Sequence, residues 1–136
     1  MRIVVDTYAW IEVFIGGRNS EKVKEIIEGS EEVYTPDVVL AEIARKYLKE
    51  GVEGWEIIER LKVIEETSEI VPIDRCIALE AAKCYAELVE KARREKLKAP
   101  SLFDAIILAT ARTRDAELIT GDEHFKGVDK VVWIGF

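Results

Sequence analysis

The chain has 136 residues, 49% of them hydrophobic and 35% charged, and a formal net charge of −7 at pH 7. This length suffices for one compact core and is too short for two ordinary domains, so we expect a single domain over residues 1–136. The acidic balance excludes a protein that grips nucleic acid through overall positive charge, and the absence of about 20 consecutive apolar residues predicts a cytoplasmic protein with no membrane span.

The first half of the chain alternates a short apolar run with amphipathic stretches. Arg2 to Val5 is predicted to be a buried strand that ends at Asp6, and Thr7 to Ile15 has helical spacing that two glycines stop. The elements predicted next are a helix capped by Ser20, a strand from Glu32 to Thr35, a helix capped by Asp37 and reaching Leu48, and a helix from Glu53 to Glu66. The apolar positions predicted for this last helix are Trp55, Ile58, Leu61 and Ile64.

The second half continues the alternation. Glu69 to Ile73 is predicted as a strand, and Asp74 caps a long helix that leads into a basic stretch from Lys91 to Lys98. Ser101 then begins a helix that is apolar on several sides and is expected to pack deep against the sheet. The remaining predicted elements are that helix, Leu102 to Arg114, and strands at Glu117 to Thr120 and Lys130 to Ile134.

Strands that alternate with helices, with few hairpin signals, predict βαβ units. We therefore expect an α/β fold with three α/β/α layers and a mainly parallel sheet of about four or five strands. Cys76 and Cys84 lie eight positions apart on one predicted helix, about 12 Å along its axis. That separation is too large for a disulfide, so both are expected to be reduced thiols in the core.

Four acidic residues stand where a predicted strand ends or near the start of a largely apolar helix: Asp6, Glu42, Asp104 and Asp122. In a parallel sheet the carboxyl ends of the strands and the helices that follow them open onto one crevice, so these side chains are expected to converge. Ionised carboxylates about 4 Å apart repel by roughly 1 to 4 kcal/mol near a protein surface. Such a cluster therefore needs a cation or a shared proton.

Each acid also has an ordinary structural interpretation. Asp6 and Asp122 suit a helix cap or a turn, and Asp104 completes the capping-box pattern that begins at Ser101. Glu42 suits a solvated helix surface. Their joint placement around one expected crevice is what favours a site.

The chain resembles the PIN-domain ribonucleases, and among them the compact VapC-type toxins of prokaryotic toxin–antitoxin pairs. The segments that match are Val5 to Thr7, Val39 to Ile43 around Glu42, Phe103 to Ala111, and Thr120 to Phe125. The resemblance implies that Asp6, Glu42, Asp104 and Asp122 ligate Mg²⁺ or Mn²⁺, with Thr7 and Thr120 supporting the pocket. It also implies a homodimer and a small antitoxin whose tail lies across the site. Gly121 departs from the pattern, since many relatives have a larger polar residue there.

The residue types suit this chemistry independently, because Mg²⁺ prefers hard oxygen ligands and a few carboxylates together with substrate phosphate. His124 is a candidate general base, although we favour a surface turn residue. Arg93 and Arg94, in the basic stretch, are candidate RNA contacts, and the alternative is a solvated helix end favoured by the helix dipole.

The function predicted from these residues is metal-dependent hydrolysis of RNA. One alternative is a noncatalytic Mg²⁺-binding signalling module similar to a response-regulator receiver, and another is a PIN scaffold that only binds. The receiver interpretation fits less well because Asp6 is a single acid where receivers have a pair. An inhibitory antitoxin tail is expected to be basic, because a guanidinium binds carboxylates bidentately.

Overall fold

The computed structural model describes residues 1–136 and contains one sheet of five parallel strands in the order β3-β2-β1-β4-β5. The strands are β1 Arg2–Val5, β2 Glu32–Pro36, β3 Glu69–Val71, β4 Glu117–Thr120 and β5 Val131–Trp133. Six helices accompany them: α1 Thr7–Ile15, α2 Ser20–Glu28, α3 Asp37–Lys49, α4 Gly54–Thr67, α5 Arg75–Glu95 and α6 Leu102–Thr113. The predicted three-layer α/β fold is confirmed, and β5 lies at an edge as expected.

The central strand β1 determines where the site can form. Its residues Ile3, Val4 and Val5 have no exposed surface, and the strand pairs with β2 on one side and β4 on the other. A strand buried on both faces reads as a continuous apolar run, as this one does. Because all the strands are parallel, the residues that follow β1, β2 and β4 emerge at the same edge of the sheet.

Helix α6 brings its first turn to that edge. Every residue from 105 to 111 is buried, which is the pattern of a helix apolar on all sides and enclosed by other elements. It packs against α5 and contacts β1, β2 and β4. Asp104, in the first turn, therefore lies on a rigid element just before this buried segment.

Two predicted helix caps are confirmed, and two are wrong. Asp74 accepts a hydrogen bond from the Ile77 backbone N–H at 2.8 Å, and Ser101 forms a reciprocal capping box with Asp104. Asn19 and Pro36, one residue earlier than predicted, occupy the cap positions of α2 and α3, and neither caps through a side chain. Proline holds the chain extended just before α3, so Asp37 becomes the first helical residue. Its negative charge there still interacts favourably with the helix dipole.

The predicted apolar face of α4 is partly wrong. Trp55 and Ile58 are 70% and 52% exposed, whereas Ile57 and Ile64, two turns apart, are buried. The helix packs against α3 and β3 on the side of Ile57 and Ile64. Trp55 and Ile58 therefore face outward. None of the six helices combines the length and apolar character needed to cross a membrane.

The expectation of two core thiols holds for one of them. Cys84 is buried, and its burial raises the pKa of the thiol to about 11, whereas Cys76 is exposed in the first turn of α5. Both are free, as predicted.

Candidate functional site

The four acids singled out in the sequence line one cavity of about 430 Å³ at the carboxyl edge of the sheet. They come from the end of β1, the middle of α3, the first turn of α6 and the segment after β4. Its other lining residues are Thr7, Tyr8, Ile11, Glu12, Ile15, Lys46, Ile107 and Phe125. The cavity therefore has a cluster of carboxylates beside an apolar wall.

Asp6 is both a helix cap and a lining residue. One carboxylate oxygen accepts a hydrogen bond from the Ala9 backbone N–H at 2.9 Å, and the other accepts one from the Thr120 hydroxyl. The residue is only 2% exposed. Burial raises the pKa of Asp6 to about 7. The two hydrogen bonds lower this pKa, and the nearby charges of Asp122 and Glu42 raise it further.

Glu42 lines the cavity from helix α3. The Thr7 hydroxyl donates to one of its carboxylate oxygens at 2.7 Å, so the residue after Asp6 orients the second acid. Partial burial raises the pKa of Glu42, and the charges of Asp104 and Asp122 raise it further, while Arg45 acts in the opposite direction. Thr7 and Thr120 thus each hold one carboxylate of the cluster.

Asp104 and Asp122 lie close together in the lining of the cavity. Asp104 accepts a hydrogen bond from the Ser101 backbone N–H at 2.8 Å, while Asp122 accepts one from the His124 backbone N–H at 2.9 Å. Burial and the charge of Asp122 raise the pKa of Asp104 against that Ser101 hydrogen bond. Potential ligand atoms of Asp104, Asp122 and His124 all lie within 4.8 Å of one another.

His124 lies in a short 3₁₀ turn, Glu123–Phe125, and its side chain is largely buried. Its Nδ1 lies 2.8 Å from Asp122 Oδ1 and its Nε2 lies 2.9 Å from the Lys98 carbonyl oxygen. Burial opposes the charged ring, but these two acceptors outweigh it and raise the pKa. With both nitrogens facing acceptors, the ring is suited to hold Asp122 as an imidazolium and is poorly placed to act as a base.

The electrostatics of the cluster call for a cation. Asp6, Glu42 and Asp104 all have raised pKa values, and burial and the other acids contribute in each case. Hard carboxylate oxygens are the ligands that Mg²⁺ and Mn²⁺ take in proteins. A divalent ion would relieve the repulsion and replace the lost solvation, so the residues present fit such an ion.

Lys46 and Tyr8 are among the lining residues that the sequence did not predict. Lys46 follows Glu42 by four residues on α3, a spacing that places both on one face of a helix. Gly121 leaves room for the ring of Tyr8, which a Cβ atom at that position would overlap. A glycine at position 121, where many relatives have a larger residue, indicates that another group packs closely against the backbone. It does not indicate that this group is the Tyr8 ring.

Arg93 and Arg94 do not line the acidic cavity. Arg93 lies in the last turn of α5 and forms an ion pair with Glu90 at 3.1 Å, while Arg94 lines a separate cavity with Arg112. Their contact with RNA stays a prediction.

The sequence matches the model of one protein family. A sequence model described as the PIN domain matches residues 3–131. No curated protein sequence matches the chain significantly.

Among solved structures, a toxin–antitoxin complex from Klebsiella pneumoniae is similar at 27% identity and a TM-score of 0.67, with 96% of this chain and 95% of that chain covered. FitAcB from Neisseria gonorrhoeae is 25% identical with a TM-score of 0.62, and 96% of each chain is covered. VapC20 from Mycobacterium tuberculosis, described as a Sarcin-Ricin loop cleaving toxin, is 17% identical with a TM-score of 0.66, covering 95% of this chain and 96% of that one.

Proposed function

The chain belongs to the PIN domain family, and from that membership we propose that it is a Mg²⁺-dependent endoribonuclease, the toxin of a toxin–antitoxin pair. The observation that supports this most is the convergence of Asp6, Glu42, Asp104 and Asp122 on one cavity. We propose that these four residues hold the metal, with Mn²⁺ as a substitute. A bound divalent ion would acidify a water molecule and neutralise charge on the phosphate oxygens of the substrate.

The protein's own contribution is to fix the carboxylates before substrate arrives. Thr120 and the Ala9 N–H orient Asp6, Thr7 orients Glu42, and the Ser101 N–H orients Asp104. His124 fixes Asp122 through its ring and its backbone N–H. Groups that orient ligands in this way typically affect metal affinity or activity by about 10- to 100-fold.

RNA is the substrate that we favour over DNA. VapC20, a structural neighbour with the same fold, is described as cleaving the Sarcin-Ricin loop. The apolar wall beside the carboxylates, which includes Tyr8, offers a surface for an unstacked base, as is common where proteins bind single-stranded RNA.

The two alternatives are separable. A receiver-like module is disfavoured because receivers have the strand order 2-1-3-4-5, whereas here β3 and β2 lie on one side of β1. A PIN scaffold that only binds would have the same fold and is distinguished by activity alone.

Cleavage of RNA tests the proposal. The purified protein with Mg²⁺ is expected to cut a single-stranded RNA and to leave the DNA of the same sequence intact, and EDTA is expected to stop the reaction. Binding of the RNA without cleavage, under Mg²⁺ and under Mn²⁺, would establish the binding-only alternative instead.

We further propose a small antitoxin with a basic tail as the partner, since several structural neighbours are toxin–antitoxin complexes. A guanidinium placed among the carboxylates competes with the metal, so Mg²⁺ is expected to weaken the tail and the tail to weaken Mg²⁺ by the same factor. Calorimetric titration of antitoxin into the protein at increasing Mg²⁺ measures this factor. Tail affinity that is indifferent to Mg²⁺ would mean that inhibition acts elsewhere on the surface.

A cytoplasmic homodimer completes the proposal. The exposed Trp55 and Ile58 on α4 give apolar surface that a second subunit would cover.

A further inference from the structure

A second cavity adjoins the acidic one along α3. It has a volume of about 450 Å³ and is lined by five residues, none of them hydrophobic: Thr7, Glu42, Arg45, Lys46 and Lys49. Thr7, Glu42 and Lys46 also line the acidic cavity, so the two cavities are adjacent. The carboxylates therefore lie next to a basic surface.

The basic residues form a single row. Arg45, Lys46 and Lys49 follow Glu42 by three, four and seven positions, which places all of them on one face of a helix. At 1.5 Å per residue the row extends about 10 Å from Glu42 along the helix axis. All three side chains are exposed. We refer to Arg45, Lys46 and Lys49 as the α3 row.

The charges of the α3 row are mostly available. Arg45 and Lys49 form no ion pair with any acidic group, and Lys46 pairs only with the half-exposed Glu50, at 3.7 Å. Two basic residues near the end of α5 differ, because Lys91 is paired with Glu95 and Arg93 with Glu90. The chain has a net charge of −7, so the three cations of the α3 row form a local positive surface next to the four carboxylates.

We propose that the α3 row binds the phosphodiester backbone of the RNA and guides the strand over α3 into the acidic cavity. This inference rests on the proposed ribonuclease function and adds the path of the substrate. Polyanionic RNA needs cationic contacts to approach an acidic protein, and phosphate neutralisation supplies most of the nonspecific affinity for nucleic acid. Lys46, on the rim of both cavities, is placed to contact the phosphate nearest to the carboxylates.

Salt dependence of RNA binding tests the path. The probe is a short fluorescein-labelled single-stranded RNA, measured by anisotropy in the Asp104→Asn background so that it is not cleaved. The test variant replaces Arg45, Lys46 and Lys49 by Gln. The matched control replaces Lys22, Arg75 and Lys83 by Gln, because these are exposed, form no ion pair and line neither cavity. The two variants have the same net charge.

The α3 row variant is expected to lose about two units of the log–log salt slope, since each phosphate contact with a single strand contributes roughly 0.7. The control is expected to keep the slope of the parent protein. An unchanged slope in the α3 row variant, or an equal loss in both variants, would overturn the inference. So would an unchanged RNA slope together with lost antitoxin binding, because the row would then serve a protein partner.

Failure of the ribonuclease function itself gives a different result. In that case the protein without substitutions cleaves no RNA under Mg²⁺ or Mn²⁺, whatever the salt slopes of the variants are.

Discussion

RNA cleavage is expected to fall by at least about 100-fold when Asp6 or Asp104 is replaced by Asn, because each change removes a negatively charged oxygen from the proposed cation site. Groups that merely orient metal ligands typically cost 10- to 100-fold, so loss of a ligand should cost no less. The fold should survive, since asparagine caps a helix about as well as aspartate does. Single-turnover cleavage with Mg²⁺ measures the effect, and circular dichroism checks the fold.

Asp74 provides a matched control for the cap. It accepts a hydrogen bond from the backbone N–H three residues later, as Asp6 does, at 2.8 Å against 2.9 Å, but it does not line the acidic cavity. Asp74→Asn is therefore expected to retain full activity. Equal activity in Asp6→Asn, Asp104→Asn and Asp74→Asn would leave Asp6 and Asp104 with capping alone and remove these two from the site.

The metal-free protein is expected to become more stable above pH 7 when Asp6 is replaced by Asn. The pKa of Asp6 rises from 3.8 to about 7 on folding, mainly because the carboxylate is buried. At about 1.4 kcal/mol for each pKa unit, the buried charge costs about 4 kcal/mol once it is fully ionised. Asparagine removes that charge and keeps the cap, so a gain of about 1 to 4 kcal/mol is expected at pH 8.

The sign of the pH dependence follows from proton binding. Between about pH 4 and pH 7 the folded protein holds a proton on Asp6 that the unfolded chain has lost, so stability falls as the pH rises through this interval. Below about pH 4, Asp6 is protonated in both the folded and the unfolded chain, so its burial costs no charge. Above about pH 7, it is ionised in both, and the full cost of burying the charge is present. Asp6→Asn is therefore expected to flatten the fall without abolishing it, because Glu42 and Asp104 also have raised pKa values.

Urea unfolding in EDTA at pH 5 and pH 8 measures both effects. Asp74→Asn again serves as the control, since Asp74 is exposed and the substitution should change the free energy of unfolding by less than about 0.5 kcal/mol. Asp6→Asn as stable as the parent at both pH values would contradict the assignment of a buried, ionised carboxylate.

The sheet and its acidic edge could be predicted from local pattern. Ile3 to Val5 is a continuous apolar run because β1 is buried on both faces, and the parallel arrangement then brings distant strand ends together. In the sequence, a helix cap and a site residue are alternative interpretations of Asp6 and Asp104, yet in the structure both carboxylates accept capping hydrogen bonds and also line the cavity. A cap fixes a carboxylate at the crevice, so one role supports the other.

What could not be predicted depends on packing between elements. The apolar spacing of α4 does not say which of two neighbouring rows is covered, and the structure buries Ile57 while leaving Ile58 exposed. Likewise Arg93 and Arg94 are more conspicuous in the sequence than Arg45 and Lys46, but only the α3 residues adjoin the carboxylates. Proximity to the site is set by the fold and not by the density of charge along the chain.

The central claim is that four carboxylates from separate elements form one divalent cation site, and calorimetric titration of Mn²⁺ and Mg²⁺ into the protein tests it most directly. We predict saturable binding to the unsubstituted protein and to Asp74→Asn, and affinity at least about 10-fold weaker for Asp6→Asn and Asp104→Asn. Equal affinity in all four proteins, or no saturable binding to the unsubstituted protein, would contradict the assignment of these carboxylates as metal ligands.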